Sequence, residues 1–339
     1  MRNIKIIASL VIVAGLIFWS KRYWSGASAN EGLSGDTTLS LVVQEWSKRV
    51  EKYPENDEYR YKRGLELAKD RKLDLALADM NKAIELSPLN GAYYVARADV
   101  YMAKDETKNA LADFEKAVEV EPRNEKALTS LGQFYLFVRQ FDNSLKVFKK
   151  LETVNPSNTD AHFYQGMTLK EAGDTAAAID AFKAATQVDL FHYNSLIQLG
   201  QLYSEMNDGL GLSYFRNAAL ADEFSDEAYY GLGLLHQKLG NYDSAIANYQ
   251  RTIDANAQHY FAYYNTGYIM FGRENWDRAI EHFRIAVKFA PEFAKGHYML
   301  GLSNEGKGLL DQAAVHYERC LQADPNFELA KEGLKRVKP

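Results

Sequence analysis

Eighteen residues, WDRAIEHFRIAVKFAPEF (Trp276 to Phe293), return thirty-four residues later as LDQAAVHYERCLQADPNF (Leu310 to Phe327). Few letters are shared, but the layout is the same, so what recurs is a packing geometry. At that period the chain from Asp57 to Phe327 divides into eight units: 57–90, 91–124, 125–158, 159–192, 193–225, 226–259, 260–293 and 294–327. The eighth position is always small: Gly64, Ala98, Gly132, Gly166, Gly200, Gly233, Gly267, Gly301. A second small column runs Ala76, Ala110, Ser144, Ala178, Gly211, Ala245, Ala279, Ala313. A large residue follows four positions on: Met80, Phe114, Phe148, Phe182, Phe215, Tyr249, Phe283, Tyr317. Three further on the residue is mostly small again, as at Ala83, Ala117, Ala185 and Cys320.

Small, large and small at i, i+4 and i+7 share one face of a helix. The glycine column belongs to an earlier helix, because turn signals such as GNYD, RQFD and GLLD fall between the two. Asp142, Asp243, Asp277 and Asp311 in these turns are placed to cap the second helix. Pro88, Pro122, Pro156, Pro291 or Pro325 then ends a unit, since proline cannot continue a helix. Each unit reads as helix, short turn, helix. One pair cannot bury both of its faces, but a stack of pairs can. Gly132, Gly166, Gly200, Gly233, Gly267 and Gly301, with Phe114, Phe148, Phe182 and Phe283, are the residues expected to hold the pairs together.

This pattern resembles the tetratricopeptide repeat family. The resemblance implies an all-α, right-handed superhelical solenoid of helix-turn-helix repeats over residues 57–327. The same ruler makes 39–56 a capping half-repeat, with Trp46 in the large column, and 328–339 a charged C-terminal capping helix. Residues 1–24 differ. Arg2 and Lys5 precede the apolar run IIASLVIVAGLIFW, and SKRYW follows it. That is the layout of a signal peptide or an N-terminal membrane anchor. The Ser/Gly-rich residues 25–38 then read as a flexible linker. The chain is expected at a membrane, or exported to a periplasm or cell envelope.

Chemistry is sparse. The net charge of −5 leaves no basic footprint for nucleic acid. The single cysteine, Cys320, excludes an internal disulfide and a Cys-based zinc site, and its column makes it a small buried hydrophobe. No two of the seven histidines have metal-ligand spacing; His282 and His316 share a column and read as a solvated helix face. No phosphate-loop, dinucleotide or nucleophile-elbow motif occurs. An enzyme, a cofactor, a metal and a small-molecule substrate are therefore not expected.

What remains is surface. In the resembled family the first helix of each pair lines a concave groove, chiefly through positions 2, 5, 6, 9, 12 and 13. Here those positions give a polar mixture early (Glu58, Lys62, Lys69, Asp99, Lys126). Late in the chain they give Tyr230, Phe261, Tyr264, Asn265, Tyr268, Phe271 and Tyr298. Aromatics with polar edges suit a groove for a peptide or protein partner. Position 5 carries no lysine in any unit, so the carboxylate clamp of chaperone-binding arrays is absent. The chain is similar to envelope-associated repeat proteins of bacteria, which implies a non-enzymatic scaffold. A cytosolic-type co-chaperone or regulatory module, and an accessory subunit of an envelope enzyme complex, are the alternative readings.

Overall fold

The computed structural model describes residues 39–338, which form eighteen α-helices and no strand. The expected membrane-directed segment (1–24) and linker (25–38) lie outside the described residues. None of the described helices is long and apolar enough to cross a membrane. The chain divides into two compact units between Ala181 and Phe182.

In the first unit α1 (Leu41–Lys52) precedes the pairs α2/α3 (Asp57–Lys69, Leu73–Leu86), α4/α5 (Gly91–Ala103, Thr107–Val120) and α6/α7 (Glu125–Phe137, Phe141–Val154). Helix α8 (Thr159–Ala172) follows, and α9 (Thr175–Val188) carries the division. The second unit holds α10/α11 (Tyr193–Glu205, Leu210–Ala221), α12/α13 (Asp226–Lys238, Tyr242–Ala255), α14/α15 (Trp276–Phe289 being the second, Tyr260–Gly272 the first) and α16/α17 (Ala294–Gly306, Leu310–Ala323). Helix α18 (Glu328–Val337) closes it. We call the first helix of each pair A and the second B.

The two helix types start by different means. Most A helices are side-chain capped: Asn56 accepts from the Tyr59 amide at 2.8 Å, Asn124 from Ala127 at 3.0 Å and Ser225 from Ala228 at 3.0 Å, whereas α10 and α16 start without such a bond. B helices follow a tight turn that has one left-handed residue in every pair: Arg71, Asp105, Arg139, Gly173, Asn207, Gly240, Glu274 and Gly308. Five of these are not glycine and carry the strain of a Cβ in that region. Asp105→Gly should therefore stabilise the first unit by up to about 1 kcal/mol, read as a higher urea midpoint. An unchanged or lower midpoint would show that the turn is unstrained.

The expected aspartate caps are not formed. Asp243 and Asp277 are the second residues of α13 and α15, behind the N-cap residues Asn241 and Asn275. Each instead pairs with the residue just past the end of the next A helix: Arg273 reaches Asp243 at 2.7 Å, and Lys307 reaches Asp277. Lys104 and Asp74 repeat the arrangement in the first unit. A side chain at this site still meets the positive end of its own helix, and it can also reach the following repeat.

The core is a series of rings wedged against glycine. A Cβ added to Gly132 would lie 2.6 Å from the Phe148 ring, to Gly233 2.5 Å from Tyr249, to Gly267 2.9 Å from Phe283 and to Gly301 2.4 Å from Tyr317. The next A helix closes the wedge, since Gly231 and Gly333 stand equally close to Phe215 and Tyr317. Gly166, Phe182 and Phe114 are also buried. Where the ring is a tyrosine, the twelfth residue of its A helix accepts the hydroxyl: Tyr249 donates to Gln237 at 2.6 Å, and Tyr317 to Glu305. Where it is Phe283, that residue is Phe271. A buried hydroxyl needs its acceptor, and at both tyrosines the chain supplies one. Trp46 differs, since no A helix precedes α1 among the described residues. It is half-exposed, packed on Tyr59 with Arg49 4.4 Å above its ring.

Candidate partner-binding surface

The aromatic residues of the second unit divide by exposure into two groups. Tyr230, Tyr264 and Tyr298 occupy the fifth position of α12, α14 and α16, and each is wedged between two rings. Tyr230 lies 5.9 Å from Tyr249 and 4.6 Å from His259, and Tyr264 lies 5.5 Å from Phe283 and 5.0 Å from Phe293. Tyr298 lies 6.0 Å from Tyr317 and 5.1 Å from Phe327. One face of every ring is thus spent on packing against its own repeat's B-helix ring and on His259, Phe293 or Phe327, the residue that starts the following A helix. Asn265 donates to the Tyr230 hydroxyl at 3.1 Å, tying α12 to α14. Burial pushes all three hydroxyls above their ordinary range, so they are neutral at pH 7.

Phe261 and Tyr268 are the open members, 40% and 49% exposed. Phe261 is propped by Tyr260 and Phe293 at 4.1 and 5.6 Å. Phe271 is placed at the far end of α14, edge-on to Trp276 at 5.1 Å. Two aliphatic residues complete the row, Leu234 (43% exposed) and the half-buried Leu302. With Tyr268 they fill the ninth position of three successive A helices. They are not aromatic, but the same 34-residue ruler marks the column. Positions 5, 6 and 9 of these three helices hold no charge at all: Tyr230, Gly231, Leu234, Tyr264, Asn265, Tyr268, Tyr298, Met299 and Leu302.

The corresponding face of the first unit is polar, with Lys62 paired to Glu58 at 2.6 Å and Lys69 to Glu66 at 2.7 Å. Half-buried Asp99 has the nearby charge of Lys126. Desolvation outweighs that charge and pushes its carboxyl up to about 7.

The histidines do not form the solvated face expected of them. His282 and His316 are half-buried, and they meet residues of their own repeats rather than each other. His282 packs on Tyr263 at 6.3 Å, while His316 stacks on His297 with the two Nδ1 atoms 3.4 Å apart. His297 Nε2 bonds the Pro291 carbonyl oxygen at 3.0 Å. Burial, helped by the charges of His297, Arg319 and Arg284, holds His316 down at about 4. The unfolded imidazole takes its proton near 6.5, so between these values the unfolded chain binds more protons than the folded one. Acidification from pH 6.5 towards 4 should therefore lower the melting temperature. His316→Leu should make that fall shallower, and an identical slope in the variant would refute the assignment.

Cys320 is fully buried, and burial pushes its thiol up to about 11, which leaves it protonated at pH 7. No group of three or more His, Cys, Asp or Glu among the described residues could hold a metal ion.

Comparison with known proteins adds the family. Models of the tetratricopeptide repeat match residues 129–189, 210–260, 230–292 and 271–326, and a second such model matches 91–124. No curated protein matches. Among solved structures, the C-terminal part of a TPR repeat-containing protein from Cytophaga hutchinsonii aligns with a TM-score of 0.57 at 17% identity, over 70% of this chain and 98% of that one. The Cut9–Hcn1 hetero-tetramer of the APC/C aligns at 0.51 and 18%, over 88% and 67%. PilF of Pseudomonas aeruginosa aligns at 0.51 and 16%, over 59% and 92%. At these identities the likeness is one of fold.

Proposed function

Because the chain belongs to the tetratricopeptide repeat family, we propose that it is a non-enzymatic scaffold that holds a protein or peptide partner on the A-helix face of its second unit, at or beyond a membrane. The observation that carries this reading is the uncharged row on α12, α14 and α16. Leu234, Phe261 and Tyr268 are each 40% exposed or more, and the tyrosines behind them are fixed by packing. Rigid apolar side chains with polar edges bind at little entropic cost, and the row lacks the cations that would select an acidic tail. The partner segment is therefore apolar and uncharged. The membrane part of the proposal rests on the basic and apolar layout of residues 1–24.

The test follows from the exposure pattern. Changing Tyr230, Tyr264 and Tyr298 together would damage repeat packing as well as binding. Leu234→Ser/Phe261→Ser/Tyr268→Ser alters only half-open side chains, so the variant should melt like the wild type. In a pull-down from native membrane extract it should lose the principal partner retained by the wild type. Full retention by the folded variant would end the proposal for this surface. Deleting residues 1–38 should separately release the protein from the membrane fraction, or block its export. A truncated chain that fractionates as before would overturn the membrane reading.

A further inference from the structure

Outside the aromatic row, the second unit has a cavity of about 400 Å³ lined by residues of α15, α16 and α17 and the loop before α16. Three cations line it: Arg284 and Lys288 from α15, and Arg319 from α17. All three are exposed, and none forms an ion pair or hydrogen bond. Lys288 has only the edge of its cation–π range to Phe289, at 6.0 Å. Lys104, Arg273 and Lys307, at the ends of the A helices, are by contrast paired with aspartates. Glu292 is the one carboxylate in the lining.

The cations are not needed for repeat packing. The same three positions one repeat earlier are Gln250, Asp254 and Ile285, and that junction forms without them. Beside the cations, Val287, Pro291 and Ala323 supply apolar wall, and Gln322 supplies an amide. His297 is 5% exposed and fixed on the Pro291 carbonyl, so this part of the lining is preorganised.

We propose that this cavity binds a small phosphate monoester. Three cations against one carboxylate leave an excess of two positive charges, which a dianionic phosphoryl group matches and a single carboxylate does not. Two guanidinium forks on neighbouring B helices can each engage phosphate oxygens in bidentate fashion. The volume lies at the lower end of the range for small-ligand sites, which fits a compact organic phosphate.

Calorimetric titration of the full chain with phenyl phosphate, in a phosphate-free buffer at low salt, tests this. The wild type should bind with submillimolar affinity and shift the imidazole resonances of His297. Arg284→Gln/Arg319→Gln should weaken binding at least tenfold. Arg216→Gln/Arg278→Gln removes the same charge outside the cavity and should leave binding within twofold. Lys288→Gln gives an independent variant should the double change disturb folding, and it too should weaken binding. Absence of binding at 10 mM, equal loss in both double variants, or benzoate binding as tightly as phenyl phosphate would each overturn the proposal.

Discussion

Phe283→Ala is expected to destabilise the second unit by about 3–5 kcal/mol, the usual cost of truncating a fully buried phenylalanine. The ring is 0% exposed and packs against Tyr264 with centroids 5.5 Å apart. Its contact with Gly267 leaves no room even for a methyl group, since an added Cβ would stand 2.9 Å from the ring. Repeats are held chiefly by their neighbours, so the loss should appear as an earlier urea transition of the second unit, with amide exchange accelerating first in α14 to α16. Gly267→Ala sharpens the test. Against the intact ring it should cost about 1–3 kcal/mol by overpacking. In the Phe283→Ala background the methyl group enters the vacated space and gains helix propensity, so that cost should vanish or reverse. If Gly267→Ala costs the same in both backgrounds, the glycine–ring wedge does not hold these repeats together.

Asp113→Ala should cost the first unit about 3 kcal/mol, because it strands a partly buried guanidinium. Arg97 on α4 grips Asp113 on α5 with two bonds of 2.7 Å, and Asp113 is only 5% exposed. Arg63 and Asp79 make the same bidentate brace one repeat earlier, at 2.6 and 2.7 Å. In the next repeat the two positions are Leu131 and Val147, so the junction has an apolar solution within the same chain. Arg97→Leu/Asp113→Val should accordingly recover most of the loss, since replacing both partners leaves no charge buried alone. Chemical denaturation of the two variants decides the matter. A double variant as unstable as Asp113→Ala would mean that the brace itself, rather than the orphaned charge, carries the stability.

Much of the architecture is legible without coordinates. The glycine and large-residue columns find each other because a 34-residue period fixes which helix faces meet, whatever the intervening letters. The left-handed turn residues are less legible. Gly173, Gly240 and Gly308 announce themselves, but Asp105, Arg139 and Glu274 hold the same conformation with no such signal, because the surrounding helices impose it. Local pattern points the aspartates at the B-helix starts to their own helix, but Asp74, Asp243 and Asp277 take a partner thirty residues away. Leu234 and Leu302 carry no local signal, because their place in the apolar row depends on Tyr268 standing between them. The stacking of His297 on His316 depends on an A helix and a B helix facing each other at one depth, which no local pattern specifies.

Period and side-chain size alone therefore determine that this chain is a stack of helical pairs and which residues form its seams, because close packing leaves few other ways to bury those faces. Only the tertiary structure decides which tyrosine faces are already occupied, which apolar side chains stay open and which cations stand without partners. Those outcomes turn on the distances between residues on different helices, and a single strand of letters does not contain those distances.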